Sequence, residues 1–268
     1  MPIHVATQIT VLTQEEFHAL DKRIMAAIFE VHNEFGRFLD EILFKREIAA
    51  RCEERGIVPV EREVKITVSH DSFSKDYFMD LLFCHGLMTE AKTAEAISPA
   101  HRSKSLHYLF LAGMHHGKLV NLRPERVEHE FVSTSLTLEE RRRFRVIDSR
   151  WQETGPESVW LKTKLIDLLH DWGAFLEVGS YREAITWFLG GESRVCQPVA
   201  VCAGARLLGN QKVHLLASDT AFAITAVTER MAAMEDHLQR FVDHTPLRRL
   251  QWINLDHHDI HFVTLSKL

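Results

Sequence analysis

The sequence predicts an α/β protein with mixed sheets, built from two similar halves. The chain has 268 residues, which is enough for two domains of about 130 residues each. Its first half has the hydrophobic periodicity of the element order α-α-β-β-β-α-β-β. Motifs of that half return in the same order in the second half. A tandem α/β architecture is therefore the expected fold.

Composition narrows the class of protein. Hydrophobic residues make up 46% of the chain and charged residues 26%, as in ordinary globular proteins. No apolar run reaches about 18 residues, so no membrane span is expected. The N-terminal stretch lacks the basic and apolar regions of a signal peptide, and the four cysteines show no CxxC spacing. Both features favour a cytoplasmic protein with reduced thiols.

Charge is unevenly distributed along the chain. The net charge of −5 argues against a strong, indiscriminate nucleic-acid binder. Residues 92–126, however, contain six basic and two acidic residues, a local net charge of +4. Such a strip could hold a phosphate backbone, although a solvated helix face with scattered charge explains it equally well.

Two helices are expected at the start of the first half, after a short strand within residues 3–12. Thr13 and Glu16 have the spacing of a capping box and predict a helix from there to about Glu34, where Gly36 stops it. A second helix is expected from about residue 39 to residue 54. It carries Glu41 on the same face as apolar side chains; such an acid usually extends to solvent or pairs with an arginine, and less often reaches a metal.

The stretch from Asp80 to Lys92 predicts a tight β-hairpin. Apolar, β-prone residues run up to a turn near residues 84–86, and a second short strand follows it. If the turn centres on His85, residues whose numbers sum to 170 lie opposite each other, so Asp80 faces Glu90. Lys92 lies two residues beyond Glu90 and therefore on the same face. The hairpin would gather two carboxylates and one ammonium group.

Such a cluster suits metal-dependent phosphodiester chemistry. Mg²⁺ prefers oxygen ligands, often one or two carboxylates with water and substrate phosphate. A metal held by Asp80 and Glu90 would help to make hydroxide from water, and Lys92 would position that water or stabilise charge. The competing interpretation is a strand-end carboxylate beside a surface ion pair of little energetic value.

The rest of the first half completes the predicted fold. A strand is expected at Val64–Val68, and Ser98 and Pro99 mark the start of a helix that ends near Gly113. Two further strands are expected, at residues 118–122 and 127–134.

These pieces together resemble the GxxExxY family, which belongs to the PD-(D/E)XK nuclease-like superfamily. The resemblance covers about residues 17–134, with Phe38 in place of the signature glycine and Phe44 in place of its tyrosine. The matching segments are Glu34–Phe44, Tyr77–Leu82, Thr89–His101, Leu106–Leu109 and Leu119–Leu122.

The resemblance implies a restriction-endonuclease-like core with a metal-dependent nuclease site. Asp80 and Glu90 would be the ligands of Mg²⁺ or Mn²⁺, and Lys92 the catalytic lysine. Glu41 would be the acid of the first helix region, and Tyr108 would lie on the helix after the second strand of the hairpin. The remaining predicted residues are Lys104, which replaces a glutamine usual in the superfamily, and the substrate-binding candidates Arg102 and Lys118.

The second half is expected to be a degenerate copy of the first. In an alignment by sequence, Val178 replaces Glu41, His214 replaces Asp80, Ile224 replaces Glu90 and Ala226 replaces Lys92. The copy would therefore lack a hard-cation site. The predicted organisation is a nuclease-like domain at residues 1–135, a linker at 136–157 and a pseudo-nuclease domain at 158–268, the two halves packing as an intramolecular pseudo-dimer.

One further motif has two interpretations. The segment Asp256–His261 is rich in metal-ligand types and, as a strand, would suit a transition metal; a hairpin with solvent-facing polar residues is favoured over it.

For the whole chain the leading hypothesis is a Mg²⁺-dependent nuclease acting on nucleic acid, DNA rather than RNA. The alternative is a non-catalytic module of nuclease fold that binds nucleic acid or protein.

Overall fold

The structure, a computed structural model, describes residues 2–267 and divides the chain into two compact units. The first unit is Met1–Leu138 and the second is Glu139–Leu268. Within the described residues, each unit contains one six-stranded mixed sheet with helices packed on it. No helix in that part of the chain is long and apolar enough to cross a membrane.

The first unit has the predicted element order with a short strand in front. The boundaries of its elements are β1 (Ile3–Val5), α1 (Gln14–Phe35), α2 (Glu41–Glu54), β2 (Val60–His70), β3 (Phe73–Phe83), β4 (Leu87–Lys92), α3 (Pro99–Ala112), β5 (His116–Asn121) and β6 (Glu128–Ser133).

Local sequence signals set the helix ends of this unit. Thr13 and Glu16 form the predicted capping box of α1, and the Gly36 amide closes the helix on the His32 carbonyl. Ser98 caps α3, and Gly113 ends it in the left-handed conformation that glycine favours. The main hydrophobic core lies between helices α1 and α2 and one face of the sheet.

The strands of the first sheet follow the order β1-β2-β3-β4-β5-β6. Strands β3 and β4 form the expected hairpin, in which Leu81 pairs with Thr89 and Phe83 with Leu87, so paired residue numbers sum to 170. Strands β4 and β5 run parallel, because α3 carries the chain back across the sheet between them. Leu81 and Ala91 pack in the core with α1 and α2, so Asp80 and Glu90 project from the opposite face.

The second unit repeats the succession of two helices, three strands, one helix and two strands, with two short helices added. Its elements are α4 (Leu138–Arg141), β7 (Arg145–Arg150), α5 (Pro156–Trp172), α6 (Val178–Phe188), α7 (Glu192–Val195), β8 (Cys196–Ala203), β9 (Arg206–Ala217), β10 (Thr220–Thr225), α8 (Met231–Asp243), β11 (Arg249–Asp256) and β12 (Asp259–Ser266).

The two sheets share the connectivity of five strands. The second sheet has the order β7-β12-β11-β10-β9-β8, and β10 runs parallel to β11 across helix α8. Strands β8 to β12 therefore pair with one another as β2 to β6 do in the first unit. The sixth strand differs: β1 joins the first sheet beside β2, whereas β7 joins the second sheet beside β12.

Each unit has an asparagine that makes the same pair of main-chain hydrogen bonds. Asn121 on β5 accepts from the Ala94 amide at 3.0 Å and donates to the Ala94 carbonyl at 2.8 Å. Asn254 on β11 makes the same pair of bonds with Val227, both at 2.8 Å. Asn254 lies 133 residues after Asn121 in the chain, and Val227 lies 133 residues after Ala94. The pair therefore fixes a residue-by-residue correspondence between the two sheets.

This correspondence corrects the alignment made from sequence. Lys92 pairs with Asn121 and Thr225 with Asn254, so Thr225, not Ala226, is the counterpart of Lys92. By the same shift Ala223, not Ile224, corresponds to Glu90. Val213, not His214, corresponds to Asp80; Val213 packs with Ala223 on the α8 side of the sheet. The error was one residue, which in a strand moves a side chain to the opposite face.

The predicted linker at residues 136–157 is also corrected in part. Residues 145–150 form strand β7, which pairs in parallel with β12 at the edge of the second sheet. The sequence did not indicate a strand here because the segment is rich in charged residues. In the structure Arg145 pairs with Asp259 and Arg150 with Glu235. An exposed edge strand carries such charges because they discourage pairing with another chain.

Candidate functional site

The hairpin brings Asp80 and Glu90 together as predicted. The two residues lie opposite each other on β3 and β4, and the Asp80 amide donates to Glu90 Oε1 at 3.2 Å. Asp80 is 4% exposed and Glu90 is fully buried. Two carboxylates buried so close together are costly unless positive charge compensates them.

Lys92 supplies part of that charge at a point where three oxygen atoms converge. Its ammonium group lies 3.1 Å from Asp80 Oδ2, 3.2 Å from Glu90 Oε2 and 2.6 Å from the Ala91 carbonyl. The Ala91 amide also donates to Asp80 Oδ2, at 3.0 Å. A cation at this point is thus held by two carboxylates and one main-chain carbonyl.

A second lysine, Lys45 on α2, was missed by the sequence analysis. It is 6% exposed, and its ammonium group donates to Asp80 Oδ1 at 3.0 Å and to the Glu63 carboxylate. The predicted acid Glu41, the first residue of α2, lies 3.7 Å from the same ammonium group. The spacing of Glu41 and Lys45, four residues apart on one helix, was the available signal.

Helix α3 places Lys104 and Tyr108 beside the cluster. The Lys104 ammonium lies 3.5 Å from Glu90 Oε2 and 5.2 Å from the centre of the Tyr108 ring. Tyr108 is buried, and its ring packs edge-on against Tyr77 of β3. Lys104 therefore reaches the Glu90 carboxylate directly, and its ammonium group lies over the Tyr108 ring.

The two predicted substrate-binding residues lie elsewhere in the unit. Lys118 is 1% exposed and donates to Asp21 of α1 at 3.2 Å, so the prediction of a substrate contact is wrong for this residue. Its neighbour Leu119 pairs with Glu90, and strand alternation turns Lys118 to the α1 side of the sheet. The Arg102 guanidinium is bonded to both carboxylate oxygens of Glu130 on β6, at 2.5 and 2.7 Å.

The cluster separates the protonation behaviour of its two acids. Burial would raise the pKa of Asp80, but Lys92 and Lys45 outweigh it and hold that pKa below its usual value. Burial and the neighbouring Asp80 carboxylate raise the pKa of Glu90 to about 7. Burial alone would lower the pKa of Lys92, yet Glu90 and Asp80 raise it. Asp80 therefore stays ionised, whereas Glu90 changes its protonation state near neutral pH.

The donor set fits a hard divalent cation. Asp80, Glu90 and the Ala91 carbonyl offer oxygen atoms alone, and Lys92 shows that one cation can contact all three at once. The ammonium groups around them stand on flexible stems that can turn toward a substrate. In the protein without metal, these ammonium groups supply the compensating charge.

The histidine-rich segment of the second unit forms a hairpin, as favoured. Asn254 pairs with His261 and Asp256 with Asp259 across a turn at residues 257–258. Asp259 pairs with Arg145, and the His257 ring packs on Phe175. These contacts explain the polar residues of the turn without a metal.

Comparison with known proteins gives a family match for the segment that carries this cluster. Residues 18–133 match the family model of the PD-(D/E)XK nuclease superfamily, a segment that includes Asp80, Glu90 and Lys92. This match indicates a nuclease-like fold for the first unit. No curated protein sequence matches the chain. The crystal structure of SSO0001 is similar over 47% of this chain and 79% of that chain, with 15% sequence identity and a TM-score of 0.25.

Proposed function

We propose that the first unit is a metal-dependent nuclease that hydrolyses phosphodiester bonds in nucleic acid. The observation that carries this proposal is the convergence of Asp80, Glu90 and the Ala91 carbonyl on one cation position, which the Lys92 ammonium occupies in this structure. The match of residues 18–133 to a nuclease superfamily supports it. Mg²⁺ or Mn²⁺ is the proposed cofactor, because all three donors are oxygen atoms.

Each side chain of the cluster has a defined role in this proposal. Asp80 and Glu90 would hold the divalent cation, which polarises the phosphodiester and lowers the pKa of a water molecule. Lys92 orients the attacking water and stabilises negative charge on the phosphate. Lys104, which lies 3.5 Å from Glu90 and is partly exposed, binds a phosphate of the substrate.

Lys45 has a positioning role in the same proposal. It is buried and bonds Asp80 and Glu63, so it orients the Asp80 carboxylate rather than the substrate. Glu41 is half-buried beside Lys45 and balances its charge. DNA is the first substrate to test and RNA the second.

A non-catalytic module is the second candidate, and one observation favours it. Each of the four carboxylate oxygens of Asp80 and Glu90 already lies within 3.5 Å of an ammonium or amide nitrogen. A protein that kept this arrangement would bind a phosphate backbone through its lysines without holding a metal. Binding of nucleic acid without turnover would then be its activity.

The proposal includes a tandem duplication. Its support is the shared connectivity of five strands and the matching bonds of Asn121 and Asn254. In that case Ala223 and Thr225 stand where the first unit has Glu90 and Lys92. The second unit would have kept the scaffold and lost the hard-cation site. The pseudo-dimeric packing of the halves stays a prediction from the sequence.

The test combines metal titration with cleavage assays. Mg²⁺ and Mn²⁺ are titrated by calorimetry into the wild type, Glu90→Ala and Glu125→Ala, in which the substituted acid is exposed and outside the cluster. The same proteins are incubated with single-stranded and double-stranded DNA and RNA. We expect Glu90→Ala to lose both metal binding and cleavage, while Glu125→Ala keeps both.

The two candidate functions give different results in this test. Cleavage that survives in a folded Glu90→Ala protein, as judged by circular dichroism, contradicts the nuclease proposal. Metal-independent binding of nucleic acid without cleavage by the wild type supports the second candidate instead.

A further inference from the structure

In the second unit, three residues of different metal-ligating types lie close together. They are not the residues that correspond to Asp80, Glu90 and Lys92. Glu192, Cys196 and His214 have ligand atoms that all lie within 4.8 Å of one another. The carboxylate of Glu192 lies 3.8 Å from His214 Nε2. These residues take no part in the proposed nuclease chemistry.

Local structure explains why the three side chains meet. Glu192 begins the single turn of α7, and the Cys196 amide bonds the Glu192 carbonyl, so their side chains stack one turn apart. Cys196 then starts β8 and pairs directly with His214 on β9. Cross-strand partners have neighbouring side chains, so the register itself sets the cysteine beside the histidine.

From this arrangement we infer that Glu192, Cys196 and His214 form a binding site for a transition metal of the Zn²⁺ class. A thiolate, an imidazole and a carboxylate select zinc-like ions, whereas Mg²⁺ requires oxygen donors. Three protein ligands leave the fourth tetrahedral position to water or another ligand. Typical zinc bond lengths place neighbouring ligand atoms about 3.5 Å apart. The Glu192–His214 separation of 3.8 Å is already close to this value, and no pair of the three lies more than 4.8 Å apart.

The surroundings permit the entry of an ion. The Glu192 side chain is exposed, and Cys196 and His214 are partly exposed. A pocket of about 210 Å³ adjoins His214 and is also lined by Arg182 and Phe222. Because Glu192 is exposed, its side chain can rotate toward an ion held by Cys196 and His214.

Cobalt spectroscopy of the full chain tests this site. Co²⁺ is titrated into the reduced, metal-free wild type, and bound thiolate is recognised by its charge-transfer absorption in the near ultraviolet. We expect that band in the wild type, its loss in Cys196→Ser and weaker Co²⁺ binding in His214→Ala. Cys202→Ser is the matched control, because Cys202 is a partly exposed cysteine of the same strand, and it should keep the band.

Two further measurements separate this inference from the nuclease proposal and from misfolding. The band should persist in Glu90→Ala, since Glu90 lies in the other unit, so the two proposals can fail independently. X-ray absorption of the wild type loaded with one equivalent of Zn²⁺ should show one sulfur ligand. A zinc shell without sulfur, or a cobalt band that persists in Cys196→Ser, overturns the inference.

Discussion

The two sheets of this protein have the same connectivity over five strands but carry different chemistry at corresponding positions. In the first unit Glu90 and Lys92 follow each other along one face of β4, and both contact Asp80. In the second unit the same register holds Ala223 and Thr225. Ala223 packs with α8, and Thr225 donates to Asn254.

The comparison shows which side chains belong to the scaffold and which to the site. Asn121 and Asn254 share one pair of main-chain bonds, to Ala94 and to Val227, so this anchor serves the fold in either unit. The buried carboxylates occur in one unit and require Lys45 and Lys92 as compensating charges. Because the scaffold forms without them in the second unit, their costly burial in the first is best explained by function.

The largest expected effect separates the two units by activity. In Lys92→Ala the rate of cleavage should fall by at least about a hundredfold, because the group that orients water and stabilises charge is lost. Thr225→Ser, at the corresponding position of the second unit, should leave the rate unchanged. The measurement is the single-turnover rate of DNA cleavage at saturating Mg²⁺ for the three proteins.

Equal losses in the two variants would contradict the assignment of the site to the first unit. Such a result would place chemistry in the second unit, where the counterparts of Glu90 and Lys92 are an alanine and a threonine.

A smaller effect concerns stability and pH in the first unit. The pKa of Glu90 is raised to about 7 from an ordinary 4.5, so the folded protein binds more protons than the unfolded one between these values. Stability in chelator should therefore fall as pH rises through this window. Glu90→Gln cannot ionise, so its free energy of unfolding should not change across this window. The difference from the wild type should therefore grow by about 3 kcal/mol between the lower and the upper pH.

Denaturant unfolding followed by circular dichroism at a series of pH values measures this difference. Glu125→Gln, which changes an exposed acid, should track the wild type at every pH. A Glu90→Gln variant whose stability runs parallel to the wild type from pH 4.5 upward would show that Glu90 titrates normally.

Part of the site could be predicted because its determinants are local. The turn around His85 fixed the pairing of β3 with β4, and alternation then placed Asp80, Glu90 and Lys92 on one face. Thr13 and Ser98 set two helix starts through short-range capping bonds. Such features depend on residues a few positions apart, which the sequence shows directly.

The parts that failed depend on long-range packing. Lys45 reaches Asp80 from another element, and Lys118 turns inward to Asp21, which lies 97 residues away in the chain. His214 was aligned with Asp80, but a shift of one residue puts it on the other face of β9. Periodicity gives a strand two faces and leaves open which of them meets a given helix.

The smallest effect tests the feature that the two units share. Asn121→Ala and Asn254→Ala should each destabilise their own unit by about 1–3 kcal/mol, because each leaves a main-chain amide and carbonyl without their partner. All five tryptophans lie in the second unit, so tryptophan fluorescence reports its unfolding directly. We expect Asn254→Ala to lower the denaturant midpoint seen by fluorescence, and Asn121→Ala to lower the midpoint of a far-ultraviolet dichroism transition.

Because Asn121 bonds Ala94, two residues beyond Lys92, its loss should also reduce cleavage, whereas Asn254→Ala should not. If one substitution proved neutral for its unit, the two asparagines would not be equivalent anchors, and the correspondence of Ala223 with Glu90 would lose its main support.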